Sequence, residues 1–230
     1  METQGQMMTE TVTAEQMRAL ERAAMDSGSV TGLELMERAG QGVAEAIMAH
    51  WPDARRAVVL CGPGNNGGDG FVVARLLADS GWEVEALFHG AADRLPPDAR
   101  TNHDRWAATG AVGPLTLGAV KQAGEPDVWV DAIFGIGLSR RPTGELERVL
   151  CHLAGHGGDR MTLQPKLVAV DVPSGLDADT GEIPGKGAGE WAPPCPFCAL
   201  TVTFHRAKPG HLRGEGPEHC GKLIVKDIGL

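Results

Sequence analysis

Between Leu33 and Ile47 the apolar positions Leu33, Met36, Ala39, Gly40, Val43, Ala44 and Ile47 recur every three or four residues. Glu34, Glu37, Arg38, Gln41 and Glu45 fill the gaps, so one apolar stripe runs along a helix over residues 31–50. Thr31 followed by Glu34 is a capping-box pair that predicts where this helix starts. Residues 14–27 also read as a helix. The period then changes: residues 56–61 form a short, nearly continuous apolar run, as expected of a strand buried on both faces of a parallel sheet. Similar runs predict strands over 83–88, 128–131, 166–171, 200–204 and 223–228. Helical stretches over 71–80, 97–109 and 145–153 separate them.

Strands alternating with helices imply βαβ units, a mostly parallel central sheet and helices on both faces. The two N-terminal helices are extra to that alternation. We expect one α/β domain over residues 1–230, with residues 1–12 a loose tail. Residues 184–196 are the most irregular stretch and read as a loop flanking the site.

Composition narrows the function. The 230 residues carry 21 Lys+Arg against 30 Asp+Glu, a net charge of −9, which argues against a nucleic-acid partner. The longest unbroken apolar run, Ala57–Cys61, is far shorter than the roughly 20 residues of a membrane-spanning helix. No membrane association is expected, and with no leader pattern the expected location is the cytoplasm. The cysteines Cys61, Cys151, Cys195, Cys198 and Cys220 are odd in number and fit no disulfide framework. Cys195 and Cys198 have C-x-x-C spacing, with Cys220 and His219 or His211 as the nearest partners for a zinc site. The favoured reading is reduced thiols in a loop.

Ligands in open parallel sheets bind at the carboxyl ends of the strands, so the strand exits are where chemistry belongs. The first exit, Gly62–Gly70, has five glycines in the nine residues Gly-Pro-Gly-Asn-Asn-Gly-Gly-Asp-Gly. Gly62, Gly64 and Gly67 fit the dinucleotide fingerprint G-x-G-x-x-G. Asp69 disagrees with it, because a carboxylate at the helix start would repel a pyrophosphate. The two readings are a ligand-hugging loop and a tight turn capped by Asp69. At the second exit Asp131 ends an apolar strand, and Gly135, Gly137, Arg140 and Arg141 follow. The third exit carries Asp171, then Ser174, with Asp177 and Asp179 as ordinary turn carboxylates. The fourth carries His205, Arg206, Lys208 and His211. If the exits converge, Asn66, Asp131 and Ser174 supply hard oxygen ligands for a monovalent or divalent cation.

Seven segments, taken together, strongly resemble the NAD(P)HX epimerase family, the YjeF N-terminal domain type. They are Leu35–Gly40, Gly62–Gly70, Asp131–Leu138, Asp171–Gly181, Thr201–Phe204, Lys208–His211 and Asp227–Gly229. The resemblance implies a Rossmann-like three-layer α/β/α sandwich and an isomerase of nicotinamide-nucleotide repair. Its substrate would be NADH or NADPH hydrated at ring carbon 6, with the R and S epimers interconverted. Asn65, Asn66, Gly67, Gly68 and Asp69, then Gly135, Ile136, Gly137, Leu138, Ser139, Arg140 and Arg141, and Asp171 would contact that substrate. One potassium ion per subunit would sit on Asn66, Asp131 and Ser174. A separate dehydratase would consume the S epimer, and a homodimer is compatible with the family.

The hydroxyl leaves from a carbon bonded to the ring nitrogen, a centre that needs a proton donor and a base. Asp171 is the expected catalytic carboxyl. Two rival readings stand beside this one. A non-catalytic nucleotide-binding module would not require Asn66, Asp131, Asp171 and Ser174 together. An NAD-dependent dehydrogenase would require an acidic ribose clamp after the second strand, where His89 stands instead.

Overall fold

The computed structural model describes residues 10–155, 166–187 and 193–230. Seven strands form one sheet in the order β3-β2-β1-β4-β5-β6-β7: β1 Arg56–Cys61, β2 Glu83–Phe88, β3 Val112–Pro114, β4 Val128–Ala132, β5 Leu167–Val170, β6 Leu200–Phe204 and β7 Lys222–Lys226. Every neighbouring pair runs parallel. Among the described residues seven α-helices accompany it: α1 Ala14–Asp26, α2 Gly32–His50, α3 Asn65–Asp79, α4 Pro97–Ala107, α5 Leu117–Gln122, α6 Gly144–Leu153 and α7 Gly216–His219.

Strand alternation sorts the core into two layers. Ala57, Val59 and Cys61 of β1 turn to one face, where they pack with Phe71, Val73 and Leu77 of α3 and with Val43 and Ile47 of α2. Val58 and Leu60 turn to the other face and pack with Val120 of α5 and Val149 and Leu150 of α6. Both faces of the central strands are covered, which is why they read as unbroken apolar runs rather than alternating ones. Asp131 shares the parity of Trp129, so it leaves β4 on the α5–α6 side, at the strand's carboxyl end.

The predicted start of α2 holds: Thr31 accepts from the Glu34 amide, and the Glu34 carboxylate accepts from the Thr31 amide at 2.7 Å. Three expectations need correction. The helix expected from residue 71 starts at Asn65, so most of the glycine-rich stretch is its first turns rather than a loop. Its N-cap is Gly64, not Asp69. The start was hidden because glycine is the weakest helix former after proline. Here packing overrides propensity, since within the helix a Cβ on Gly67 would run into the Gly62 carbonyl and one on Gly70 into the Ala132 side chain. The third correction concerns the N-terminal tail. Thr11 bridges to Ala207 and the Val12 amide donates to the Ala207 carbonyl at 3.0 Å, so these two residues are fixed, while residues 1–9 lie outside the described residues. β3 and α5 are short elements that the hydrophobic pattern did not announce.

The cysteines behave as apolar residues. Cys195 and Cys220 pack with Val172, Leu176, Ala178 and Ile183 in a small cluster below the site. Among the described residues none of the five is joined in a disulfide, and burial pushes Cys220 up to about 12 and Cys195 and Cys198 well above the ordinary range. Among the described residues no group of three or more His, Cys, Asp or Glu is arranged to hold a metal ion. No described helix is long and apolar enough to cross a membrane.

Candidate active site

The exits of β1, β4, β5 and β6 meet around a cavity of about 450 Å³, and α1 closes its remaining side. The α3 start contributes Gly64, Asn65, Asn66 and Asp69; the β4 exit contributes Ile133 through Leu138; β5 and β6 contribute Asp171 and Phe204. Arg18 and Glu21 come from α1, which the sequence reading had not linked to the site. Nothing local in residues 14–27 announces this. The helix is brought there by contacts distant in sequence: the Ala14 amide donates to the Asp179 carboxylate at 2.7 Å, and Arg18 donates to the Ile136 carbonyl at 3.0 Å.

Asp171 sits at the residue where β5 ends, in the left-handed region with φ +67°. A non-glycine residue rarely takes this conformation, though Asp tolerates it better than most, and such strain gathers at functional sites. The turn is held by the Asp171 amide donating to Val202 O at 2.8 Å and by the Val172 amide donating to Val170 O at 2.9 Å. The carboxylate is held more firmly still. Thr203 Oγ1 donates to Asp171 Oδ1 at 2.7 Å, and Lys208 Nζ lies 2.9 Å from the same oxygen.

Lys208 is fully buried, a state an ammonium reaches only with partners, and it donates further to Thr203 Oγ1 at 2.8 Å and Phe204 O at 3.1 Å. Burial alone would raise the Asp171 carboxyl. The Lys208 charge and the hydrogen bonds from Lys208 and Thr203 outweigh it and hold the group below the ordinary carboxylate range. Asp171 is therefore ionised at neutral pH. Lys208, at the fourth exit, is thus the counter-charge of the carboxylate.

His211 completes this half. Its Nδ1 accepts from the Lys208 amide at 3.0 Å, which leaves Nε2 to carry the proton and donate to Asp171 O at 2.9 Å. Burial, with the Lys208 charge next, depresses the imidazole to about 4. The ring is a neutral brace.

The α3 side contrasts with this. Asp69 reaches the cavity wall with no hydrogen-bond partner among the described residues. Burial first, then the charges of Asp171 and Glu21, pushes its carboxyl well above the ordinary range. The same two influences, burial and then Asp171, raise Glu21. Asp171, held low, and Asp69, pushed up, face a common space, a pairing that sets a base and an acid apart. The Asn66 amide nitrogen is buried without a partner. Gly135 lies between the two sides, since a Cβ there would come 2.9 Å from Asn66 Oδ1 and 3.3 Å from Asp171 Oδ2. The absence of a side chain at Gly135 keeps that space open.

Asp131 and Ser174 lie beneath the β4 exit and are directly joined. Ser174 Oγ donates to Asp131 Oδ1 at 2.6 Å, the Ser174 amide to Oδ2 at 2.8 Å, and the Ile133 amide to Oδ1 at 3.2 Å. Ser174 Oγ accepts from the Phe134 amide at 2.8 Å. Burial raises Asp131 to about 6 against these three donors. No lysine or arginine among the described residues pairs with it. A fully buried carboxyl without a cation, joined to the Ser174 hydroxyl, is an oxygen set that suits a hard cation, while Asn66 lies on the cavity wall.

The other expected contacts divide. Asn65, Asn66, Asp69, Gly135, Ile136, Gly137, Leu138 and Asp171 line the cavity; Gly67, Gly68, Ser139, Arg140 and Arg141 do not. Gly67 and Gly68 serve packing: a Cβ on Gly67 would strike the Gly62 carbonyl, and one on Gly68 would press on the Met36 thioether at 2.6 Å. Arg141 donates to Glu147 at 2.9 Å and to the Gly185 carbonyl at 3.3 Å. Asp177 and Asp179 are turn residues as expected, with Asp177 Oδ1 accepting from the amides of Asp179 and Thr180.

This cavity sits at the carboxyl ends of β1 and β4, neighbouring strands at the middle of the sheet. The profile of the YjeF-related protein N-terminus matches residues 32–210. The chain belongs to this family. It is 51% identical over 232 residues to the NAD(P)H-hydrate epimerase of Rhodobacter capsulatus, covering 97% of this chain and 100% of that protein. It is 46% identical over 244 residues to the protein of that name from Roseobacter litoralis, with the same coverage of 97% and 100%. The bifunctional NAD(P)H-hydrate repair enzyme Nnr of Escherichia coli is 36% identical over 217 residues, which span 94% of this chain and 39% of that one. A crystal structure of the yeast protein ynu0 superimposes with a TM-score of 0.72 at 22% identity, covering 95% of this chain and 87% of that one, and so shares the fold. Arg18 and Glu21 lie outside the stretch that the YjeF-related N-terminus profile matches.

Proposed function

We propose that this chain is an NAD(P)H-hydrate epimerase that interconverts the R and S forms of hydrated NADH or NADPH. The names of its relatives support the substrate class. One observation supports the chemistry: Asp171, held low by Lys208 and Thr203, and Asp69, pushed up by burial, face a single cavity.

Carbon 6 of the substrate bears a hydroxyl next to the ring nitrogen. Asp69 gives its proton to that hydroxyl, the carbon–oxygen bond breaks with the nitrogen lone pair closing to an iminium, and one water leaves. Water then adds to the opposite face, its oxygen forming the new bond while Asp171 accepts the released proton. The product has the inverted centre, and a proton passes back from Asp171 to Asp69 to reset the pair. The reverse direction uses the same groups with roles exchanged. Ionised Asp171 also stabilises the cation between the two steps. Lys208 and Thr203 fix the carboxylate oxygen that does not face Gly135, which leaves the other for the water.

Asn66, Asp131 and Ser174 would hold a potassium ion. When bound, it supplies the positive charge that buried Asp131 lacks. The chain's own residues do the rest: Ser174 ties the β5 exit to the β4 exit through Asp131 and Phe134, which holds Gly135 opposite Asp171. The reaction belongs in the cytoplasm with a dehydratase specific for one epimer; the bifunctional relatives support that link.

The test is chromatography of purified R- or S-NADHX with and without protein. Approach to the equilibrium mixture far faster than the spontaneous rate is expected. An unchanged rate removes the epimerase assignment.

A further inference from the structure

The substrate proposed above carries a pyrophosphate, yet the cavity walls are rich in carboxyls: Glu21, Asp69 and Asp171. The arginines and lysine expected to balance that charge are committed or placed elsewhere. Lys208 is buried on Asp171, Arg141 is bound to Glu147, and Arg206 contacts Glu10 and the His205 carbonyl. Among the described residues Arg18 of α1 is the one Lys or Arg that lines the cavity.

Its guanidinium is pinned but not neutralised. One nitrogen donates to the Ile136 carbonyl at 3.0 Å, and no carboxylate among the described residues lies within ion-pair distance of it, although Glu21 stands one turn away on the same helix. The remaining donors have no protein partner among the described residues. A fork on an exposed residue of the cavity lining, held at one point with its other donors unused by the described residues, is prepared for an anion. The opposite wall offers a second set of donors. Gly64 caps α3 without a side chain, so the first amides of a 15-residue helix are not satisfied by a cap. Gly64, Asn65 and Asn66 line the same cavity, where the Asn66 amide nitrogen is buried and unpartnered.

We infer that Arg18 is a substrate-binding residue that holds the pyrophosphate of the dinucleotide between α1 and the start of α3. This rests on the epimerase reading for the identity of the substrate, but not for the presence of the anion site. It makes the N-terminal helix part of the recognition surface.

Arg18→Gln, Arg18→Lys and, as a charge-matched control on an exposed position of the same helix, Arg22→Gln test it. Two measurements are needed: epimerisation kinetics on NADHX and on the hydrate of the reduced, phosphate-free nicotinamide riboside, and calorimetric binding of ADP-ribose. Arg18→Gln is expected to raise KM for NADHX by about tenfold or more with kcat nearly unchanged, and to leave the riboside hydrate unaffected. Arg18→Lys should recover part of the loss, and Arg22→Gln should match wild type.

An equal fall on both substrates would make Arg18 only a brace for the Ile136 carbonyl and overturns the inference. So does an unchanged KM. If wild type turns over neither compound, the epimerase reading falls while ADP-ribose still decides the anion site. Binding weakened about tenfold in Arg18→Gln upholds it, and equal affinity, or no binding to wild type, overturns it.

Discussion

The cavity has two halves of opposite character. On the β5–β6 side Asp171, Thr203, Lys208 and His211 satisfy one another, and their protonation is fixed by internal bonds before any ligand arrives. On the α3–α1 side Asn66, Asp69 and Arg18 leave donors and acceptors unused. Buried polar groups normally find partners, so an unfilled set facing a cavity marks where binding energy is kept for a ligand. The first half sets the chemistry in advance; the second is completed only by what it binds. Each carboxyl thus takes its character from its neighbours: Lys208 holds Asp171 low, and burial without such a partner pushes Asp69 up.

Substitutions should separate the halves. Asp171→Asn removes the base, and kcat should fall by about 10³-fold or more while KM changes only a few-fold, as read from initial rates on purified R-NADHX. A near-native kcat would remove Asp171 from the chemistry. Lys208→Met strips a buried carboxylate of its counter-charge and should cost about 3–5 kcal/mol in urea unfolding. Adding Asp171→Asn to that variant should recover much of the loss, since the two residues act as one unit.

His211 links the paired half to pH. Its imidazole falls from 6.5 in the unfolded chain to about 4 in the folded one, so the unfolded state takes up the proton first as the medium is acidified. The stabilisation is complete above pH 6.5 and is lost as pH falls towards 4, by about 3 kcal/mol at 1.36 kcal/mol per pKa unit. His211→Gln should flatten that part of the stability profile; an unchanged slope would assign it to other groups. On the unpaired half, Asp69→Asn should lower kcat by about 10²-fold yet shift stability by less than about 1 kcal/mol, because no protein bond is broken. A large loss of stability there would mean that Asp69 is structural and that the contrast between the halves is wrong.

The paired half was partly legible in the sequence and the unpaired half less so, for physical reasons. β1, β4, β5 and β6 stand out because both sheet faces are covered, which leaves Val58–Cys61 or Val168–Val170 without polar residues. Asp131 and Asp171 then mark the strand ends, since a carboxylate closing such a run needs a partner. The identity of that partner was not legible: Lys208 follows a different strand, and only the parallel register of β5 beside β6 brings it under Asp171. The α3 start was misread because Asn65–Gly70 is poor in helix formers, and the advantage of its glycines appears only against Gly62, Met36 and the β4 exit. Arg18 and Glu21 gave no signal at all. Their helix is amphipathic like any surface helix, and its docking is decided by Asp179 and Ala207 near the other end of the chain.

That docking has a consequence for the order of events during synthesis. α1 leaves the ribosome among the first residues, yet the groups that seat it include Asp179, through the Ala14 amide, and Ala207, through Val12. At about 5–20 residues per second, roughly 10–40 s pass between the making of Met17 and of Ala207. Throughout that interval the seat of α1 is incomplete. The last wall of the cavity is therefore the first part of it to be made, and binding competence should appear only when the chain's two ends have met.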